Sequence, residues 1–220
     1  MKTLIFILLL PVFAAIPVDS QQIVTAERYL EMVSEQYSGI RDYEANVIIR
    51  SGNNSMPGNL SYRSPYFLRI DFTRPANQVI VFNGELLTVY LPEQRVVLSQ
   101  VITPSRRSGT IGHGLGLLRR NYLPSYVSGP APVPLESGST EQVVKLRLTR
   151  RNVTEGFREL ILSINPNTRM IRRVEGRTAA DGSIQMDFTN LRTNQGIPDQ
   201  RFLYDPPAGV LMQHNFLFRE

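Results

Sequence analysis

The sequence contains no cysteine and only two histidines in 220 residues, which narrows the chemistry open to it. Without cysteine there is no disulfide bond, no thiolate metal ligand, no cysteine nucleophile and no lipid-modified N-terminal cysteine. Neither His113 nor His214 stands in a metal-binding spacing such as HExxH. The chain also lacks a GxSxG nucleophile elbow and a GxxxxGK[ST] phosphate loop. We therefore expect no enzymatic activity, no metal and no cofactor.

Lysine is nearly absent: apart from Lys2, the sequence contains only Lys145, and arginine supplies almost all of the positive charge. The formal net charge is +5, and the arginines occur singly or in pairs along the whole chain, as in Arg106-Arg107. No short window is dominated by basic residues, as a nucleic-acid patch would require. We expect no nucleic-acid partner. The arginines fit solvated strand edges and loop ends, with an acidic protein or a lipid headgroup as the alternative partner.

Long apolar runs are also lacking, except at the N-terminus. The apolar run from Leu4 to Phe13 follows a positive residue and has the length of a secretory signal peptide. We predict a signal peptide over residues 1–20, cleaved before Gln21, and a single domain over residues 21–220. The alternative is a retained membrane anchor, but the run contains Pro11 and is shorter than the roughly 20 residues that a spanning helix needs. The expected product is exported and soluble.

One amphipathic helix follows the predicted cleavage site. Apolar residues recur at steps of three and four and form one stripe, namely Ile23, Ala26, Leu30, Val33, Tyr37 and Ile40. The spacing predicts a helix over residues 22–38, with Gly39 as a left-handed cap. Because only one side of this helix is apolar, it must lie against another element.

From Tyr43 the apolar period changes to two, which is typical of β-strands. Six predicted strands follow, at residues 43–50, 59–64, 66–73, 78–83, 85–92 and 95–100. The segments between them are short and rich in turn residues, as in SGNNSMPGN. Asn83-Gly84 is the strongest hairpin signal and predicts a two-residue primed turn. Short connections join antiparallel neighbours, so the first half is predicted to be a meander behind the helix.

The middle of the chain interrupts this pattern. Glycines from Gly109 to Gly116 precede the short apolar and basic stretch LGLLRRNYL, and four prolines from Pro124 to Pro134 predict an irregular surface loop. A domain boundary here is the alternative. Strands then resume at residues 143–150, 157–165, 170–178, 183–194 and 201–204, which gives ten or eleven short antiparallel strands in all.

Nearly every predicted strand is apolar on one side, which gives the sheet a broad apolar face. In YFLRIDFT, Leu68 shares a face with Ile70, whereas Asp71 points the other way, as an outward-facing carboxylate rather than half of an acid–base pair. The large apolar residues on this face are Leu68, Ile70, Phe72, Ile80, Phe82, Leu87, Val89, Leu146, Leu148, Leu160, Leu162, Met186 and Phe188. Alternation leaves two interpretations open. The sheet folds onto itself as a filled sandwich or tight barrel, or it curls into an open barrel that keeps room for an apolar ligand.

A series of motifs between residues 60 and 92 points to a known family. The first strand of the series ends in a basic residue and proline. It is followed by a strand of aromatic and aliphatic residues, a turn with proline and an aliphatic strand. A turn with glycine then leads into a last strand, which ends in tyrosine and proline. The residues are Arg63, Pro65, Phe67 to Phe72, Arg74-Pro75, Val79 to Val81, Asn83-Gly84, Tyr90 and Pro92. This order resembles the outer-membrane lipoprotein carrier family, LolA. Leu117 to Asn121 resembles the family's lid helix, and FLYDPPAGV, residues 202–210, resembles its closing motif.

The resemblance implies a mainly β fold, in which an unclosed antiparallel β-barrel with a helical lid wraps around a hydrophobic cavity. It implies a periplasmic carrier that takes acylated lipoproteins as cargo from an inner-membrane lipoprotein-releasing complex to an outer-membrane acceptor. We expect a monomer. The predicted lipid-binding wall consists of the thirteen strand residues named above, with Leu115 and Leu118 from the lid. For each of them, ordinary core packing is the alternative.

One departure from the family pattern concerns the lid. Members of the family carry an arginine directly before the proline of the second strand, where it contacts the lid. Here that position is Ser64, with Arg63 one residue earlier. Because a shift of one residue sends a side chain to the other face of a strand, we do not expect Arg63 to replace it. Two other functions stay open: a periplasmic sensor of lipids or lipoproteins that regulates an envelope-stress partner, and a secreted enzyme with a polar cleft around His113.

Overall fold

The computed structural model describes residues 24–102 and 111–217. The predicted signal peptide, Ile23 of the helical stripe and Gly109 lie outside the described residues. Within the described ranges, no helix has the length and apolar character needed to cross a membrane.

Helix α1 spans Ala26–Ser38 and ends where the sequence predicts. It is capped at its start by the Thr25 hydroxyl, which accepts the backbone N–H of Arg28 at 3.2 Å. The predicted left-handed cap is wrong, because Gly39 adopts φ −80° and ψ −5°. The chain leaves the helix through a tight turn in which the Ile40 N–H donates to the Tyr37 carbonyl, so no left-handed residue is required.

The predicted meander is confirmed by six consecutive strands, each antiparallel to the next. They are β1 (Asp42–Ser51), β2 (Asn54–Arg63), β3 (Phe67–Phe72), β4 (Val79–Asn83), β5 (Leu86–Leu91) and β6 (Val96–Val101). Only Gly52 and Asn53 lie between β1 and β2, so treating the whole of SGNNSMPGN as a connection was wrong. Gly58 stands inside β2 for a packing reason, since a side chain there would come within 2.7 Å of the Asp71 carbonyl on β3.

The hairpin between β4 and β5 lies at the predicted turn, shifted by one residue. Gly84 and Glu85 are the two residues between the strands, and Gly84 takes the positive φ of 90°. The Asn83 side chain accepts the backbone N–H groups of Glu85 and Leu86 at 3.1 and 2.8 Å. The asparagine therefore fixes the turn through its side chain, and the glycine supplies the backbone conformation.

The middle of the chain is more ordered than its composition indicates. Helix α2 spans Ile111–Asn121 and leads directly into strand β7 (Tyr122–Tyr126). Strand β8 (Val133–Pro134) pairs with β9 (Gln142–Arg150), and Leu135 beside it is buried. The prediction of an irregular loop from Pro124 to Pro134 was thus wrong in part. Pro124 is tolerated because β7 lies at the edge of the sheet.

The second half continues with β10 (Phe157–Ile164), β11 (Ile171–Thr178) and β12 (Ser183–Thr193). The predicted turns at residues 165–167 and 181–182 connect them. Strand β12 pairs with β1, which joins both halves of the chain into one sheet.

The C-terminal segment differs from the prediction. Residues 201–204, expected to form a strand, include the end of a 3-10 turn, Asp199–Phe202, on which Phe202 is buried. A further strand that the sequence did not predict, β13 (Leu211–His214), runs parallel to β6.

The strands form one sheet in the order β13-β6-β5-β4-β3-β2-β1-β12-β11-β10-β9-β7, with β8 attached to β9. No hydrogen-bonded pair among the described strands joins β13 to β7, so the sheet is unclosed, as predicted. Helix α1 packs on one face, which we call the inner face. The segment from Asn194 to His214 crosses the opposite, outer face, and we call it the strap.

Candidate binding site on the inner face of the sheet

The strand register places all thirteen predicted strand residues on the inner face. Residues that lie directly opposite each other on neighbouring strands share a face, and Leu68, Phe82 and Leu87 form one such row across β3, β4 and β5. The parallel row is Ile70, Ile80 and Val89. The same rule carries the face through β2, β1 and β12 to the other half of the sheet. Leucines of β9 and β10 stand opposite one another there, as in the pair Leu146 and Leu162.

Helix α1 covers one half of this face completely. Leu30 and Val33 of α1 are fully buried against the leucines of β9 and β10. Leu146 and Leu148 have 0% exposure as a result, and Leu160 and Leu162 have little more. A side chain without accessible surface touches a ligand only after its cover has moved. In the described arrangement these four leucines are core residues.

The other half of the inner face stays partly open. Ile70, Phe72 and Phe82 are buried there, and their neighbours keep part of their surface. The half-buried predicted residues are Leu68, Ile80, Leu87, Val89, Met186 and Phe188. We call these six the open apolar face. It lies at strands β3 to β5 and β12, away from α1, where an apolar chain has side chains to contact.

Sequence reasoning missed several members of this surface. Met56, Met170 and Ile184 are partly buried and pack against the same cluster as Ile70. Met56 was hidden because the Pro57-Gly58 pair made its strand look like a connection. Ile184 alternates with Met186 and was available to the same argument. Methionine suits a surface that must adapt to a flexible chain, because its side chain is unbranched.

Helix α2 lies beside α1 and supplies the two predicted lid residues. Leu115 and Leu118 are half-buried and pack against the cluster of α1, β9 and β10. Arg119 donates to Glu31 of α1 at 2.9 Å, and the bond is exposed to solvent. A cleft of about 540 Å³ separates the first turns of α1 from the end of α2, so the two helices are incompletely packed. An exposed ion pair contributes little stability, so α2 is held mainly by the apolar contacts of Leu115 and Leu118, beside an incompletely filled cleft.

Two tyrosines connect the covered and open halves. Tyr37 belongs to both apolar clusters, and its hydroxyl accepts the Ile171 backbone N–H at 3.0 Å. Burial raises the pKa of Tyr37 to about 12. Tyr43 stacks at 5.0 Å from Tyr62, and burial also raises its pKa. Both hydroxyls stay neutral at any physiological pH, so these side chains add no charge to the inner face.

Arg63 lies on the outer face, as the one-residue shift predicts. Its guanidinium donates to the Ile197 carbonyl at 3.2 Å, pairs with Asp199, and stands 4.4 Å from the centre of the Phe67 ring. It thus holds the strap and is on the opposite side of the sheet from the open apolar face.

Polar anchors and one aromatic residue hold the strap on the outer face. The buried Asp42 carboxylate accepts the backbone N–H groups of Gln195 and Gly196 at 2.6 and 3.1 Å. Arg69 donates to the Leu203 carbonyl at 2.9 Å. Phe202 is 1% exposed and packs 5.4 Å from Phe67. The outer face of the first meander is therefore occupied by the chain itself.

A second charged cluster lies on the outer face of β11 and β12. Asp187 is buried and bonds to Arg173 at 2.6 Å, and it also pairs with Arg50 and Arg172. Burial alone raises the pKa of Asp187, but the hydrogen bonds from Arg173 and Gln185 outweigh it and hold the pKa below its usual value. The expectation that Asp187 faces away from the inner apolar face is confirmed. Its role is structural, since it links three arginines, of which Arg172 also pairs with Glu141 and Arg173 with Glu136.

The alternative prediction of an enzyme places the active site around His113, whose side chain lies outside the described part of the chain. The other histidine, His214 on β13, is 2.6 Å from the Ser99 hydroxyl. Over residues 24–102 and 111–217, no three side chains of the metal-binding types come together.

Solved structures with a similar fold come from several bacteria. An uncharacterized conserved protein from Thermus thermophilus is 13% identical at a TM-score of 0.56, over 86% of this chain and 98% of its own. MucB is 13% identical at a TM-score of 0.53, over 84% of this chain and 65% of its own. The lipoprotein LppX of Mycobacterium tuberculosis is 11% identical at a TM-score of 0.50, over 79% of this chain and 97% of its own. At these identities the likeness concerns the fold alone.

No curated protein matches the chain in sequence. A family model does match it: the model of the outer membrane lipoprotein carrier protein LolA covers residues 50–205, which is more than two thirds of the chain. The matched range runs from the end of β1 through α2 to the strap, and so contains the open apolar face and helix α2. The chain belongs to the LolA family.

Proposed function

We propose that the protein is a periplasmic carrier that holds the acyl chains of lipoproteins on the open apolar face and moves them from the inner to the outer membrane. The proposal rests on one observation, which is that one half of the inner face is covered and the other half is not. Helix α1 buries the leucines of β9 and β10, whereas the six residues of the open apolar face keep accessible surface. Membership of the LolA family supports the choice of cargo.

The energetics favour a partly open apolar site. Leaving an acyl chain in water costs roughly 0.8 kcal/mol per CH₂, or roughly 12 kcal/mol for a chain of about 16 carbons. A carrier must offset much of this cost and still release the chain to an acceptor. A surface of half-buried side chains meets both needs, because it gains burial when the chain binds and needs no refolding when the chain leaves.

The cover offers a way to enlarge the site. Leu115 and Leu118 of α2 lie on the cluster that contains Leu146 and Leu148, and one exposed ion pair holds α2 to α1. Movement of α2 would remove Leu115 and Leu118 from this cluster, and a shift of α1 with it would expose Leu146 and Leu148 and extend the open apolar face toward β9. In this proposal the four buried leucines form the part of the wall that becomes available only with cargo.

The proposed partners follow from the same cycle. An inner-membrane lipoprotein-releasing complex would deliver the acylated lipoprotein, and an outer-membrane acceptor would receive it, with the carrier acting as a monomer in the periplasm after removal of residues 1–20. The first residue of the protein purified from the cell envelope, read by mass spectrometry, tests the export step.

The sensor interpretation remains the second candidate. The fold is similar to that of MucB, which has been solved as a MucA/MucB complex from Pseudomonas aeruginosa. This chain spans about two thirds of the length of MucB. A sensor of this kind would bind lipids or lipoproteins and would also bind a partner protein that it regulates and that is not cargo, which distinguishes it from a carrier.

Native mass spectrometry of the protein purified from the cell envelope tests the proposal. We expect a bound triacylated lipoprotein or free lipid. Val89→Glu, on the open apolar face, should lose it, whereas Val101→Glu, an exposed valine at the end of β6, should keep it. An empty protein that also fails to release lipoproteins from inner-membrane vesicles would contradict the proposal. Recovery of a stable protein partner that is not itself acylated would favour the sensor.

A further inference from the structure

The open apolar face continues onto β6, one strand beyond the residues that define it. Leu98 lies directly opposite Val89 in the antiparallel pair of β5 and β6, and it is half-buried. Gln100 lies opposite Leu87 in the same pair, so its side chain is also on the inner face. Gln100 is buried, with 5% of its surface exposed. A buried amide therefore marks the border of the face, beside a leucine that is only half-buried.

The chain returns to this border after β13. Asn215 adopts a left-handed conformation with φ 55°, and its backbone N–H donates to the Ser99 carbonyl at 2.8 Å. The backbone N–H of Leu217 then donates to the side-chain oxygen of Gln100 at 3.2 Å. Because the Gln100 side chain is on the inner face, this bond brings the backbone of Leu217 to the inner side of the sheet edge. We call residues 215–217 the tail segment.

The tail segment carries two large apolar side chains to the border of the face. Phe216 is half-buried and Leu217 is 50% exposed, and Phe218 follows them in the sequence. Backbone hydrogen bonds at Asn215 and Leu217 fasten the segment, so it is tethered to the sheet edge without being part of the core. An apolar segment in this position can cover apolar side chains on β5 and β6 and can also be moved off them.

We propose that the tail segment covers the end of the open apolar face at β5 and β6 while the protein is empty, and that an acyl chain displaces it. This inference rests on the carrier function proposed above and assigns a regulatory step to the same site. Phe216 and Leu217 compete with the cargo for Leu87 and Leu98. The tether keeps the effective concentration of the segment in the millimolar range. An acyl chain buries more apolar surface than two side chains do, so it wins the competition.

The attachment of β13 favours a segment of this chain, rather than a separate partner, as the cover. Strand β13 pairs with β6 through four residues, which hold the start of the tail segment at the edge of the sheet. The Nδ1 atom of His214, the last residue of β13, is 2.6 Å from the buried Ser99 hydroxyl. The strand is thus fixed at the residue before the tail segment, so the segment can leave the face and return to it without dissociating.

Binding of Nile red, an uncharged dye that reports apolar surface, tests the cover without any cargo. The full-length protein with Phe216→Ser and Leu217→Ser should bind the dye about tenfold more tightly than the wild-type protein, because the apolar competitor is removed. Adding Val89→Glu to this variant should abolish the gain, because it places a charge on the open apolar face. Met212→Ser is the matched control and should leave dye binding unchanged. Met212 is 44% exposed, and the strand register places it on the outer face.

Tryptophan fluorescence tests the displacement directly, since the sequence contains no tryptophan. The probe is a triacylated lipopeptide without a fluorophore, added to the Phe216→Trp variant. We expect the emission to move to longer wavelength as the indole leaves the apolar face and enters water. The Met212→Trp variant, whose indole lies on the outer face, should show no such change. The Phe216→Ser and Leu217→Ser variant should also bind the lipopeptide about tenfold more tightly than the wild-type protein.

Two outcomes would overturn the inference and leave the carrier function standing. The first is equal affinity of the tail variant and the wild-type protein for Nile red and for the lipopeptide. The second is binding of the lipopeptide with no change in the emission of the Phe216→Trp variant. Failure of the lipopeptide to bind either protein would instead contradict the carrier function, and displacement by an acyl chain with it. The Nile red comparison would then still decide whether the tail segment covers the face.

Discussion

A single charge on the open apolar face should make acyl-chain binding depend on pH. Val89 is half-buried in the row that it forms with Ile80 and Ile70, so a glutamate there stays hydrated while the site is empty and the fold is retained. A bound acyl chain removes that water. The carboxylate must then be neutralised, because an isolated charge is not tolerated against hydrocarbon.

The size of the effect follows from the ordinary pKa of glutamate, about 4.3. Protonating the carboxylate costs about 3.7 kcal/mol at pH 7 and about 1 kcal/mol at pH 5. Loss of the valine contact adds about 1 kcal/mol at either pH. Val89→Glu should therefore weaken binding about 3,000-fold at pH 7 and about 30-fold at pH 5. The sign is fixed because the complex binds a proton that the free variant does not, so its affinity rises as the pH falls.

A fluorescent triacylated lipopeptide, whose acyl chains do not titrate, is a suitable probe. Its affinity for each variant is compared with that for the wild-type protein at pH 7 and pH 5. Val89→Gln should be weakened equally at both pH values, and Val101→Glu, outside the face, should bind as the wild-type protein does. A Val89→Glu variant that binds normally at pH 7, or whose defect is the same at both pH values, would refute the assignment of Val89 to the acyl-chain site.

Three further predictions concern stability. Leu146→Ala should lower the free energy of unfolding by about 2–5 kcal/mol, because this leucine has no exposed surface. Leu87→Ala should lower it by less than about 1.5 kcal/mol, because Leu87 is half-buried, and should weaken acyl-chain binding instead. Urea unfolding of both variants measures the difference. Phe202→Ala should cost about 3–5 kcal/mol in the same measurement, and a negligible loss would show that the strap does not anchor the sheet. The pKa of Asp187 is lowered in the folded protein, so its contribution is present above its unfolded pKa of about 3.9 and is lost as the pH falls below it. Asp187→Asn should cost about 1–3 kcal/mol at pH 7, because Arg173 loses its buried carboxylate partner and keeps only the exposed Glu136. The stability of the variant should fall less steeply than that of the wild-type protein between pH 5 and pH 3; an unchanged slope would contradict this assignment.

Short connections and the apolar period explain which parts of the fold could be predicted from the sequence. The hairpins from β1 to β6 have short connections, so neighbours in sequence became neighbours in the sheet. The period-two pattern placed Ile70, Leu87 and Met186 on one face, and the strand register confirms that placement. Where the local signal misled, as at Pro57-Gly58, the cause was a distant strand, because β3 passes too close for a side chain at Gly58.

Contacts between distant segments account for the rest. The strap could not be predicted, because contacts between residues far apart in the sequence hold it. Phe202 packs against Phe67, and the Asp42 carboxylate accepts the backbone N–H of Gly196. The pairing of β13 with β6 is parallel, which no short connection reveals.

Periodicity and connections of a few residues were enough to predict ten of the strands, the leading helix and the side of the sheet on which the apolar residues lie. Which of these apolar residues are core and which remain open depends on where α1 packs. Leu146 and Val89 have the same chemical character and share a face, yet α1 lies over the first and not over the second. That difference arises because one helix is too narrow to cover a sheet of thirteen strands.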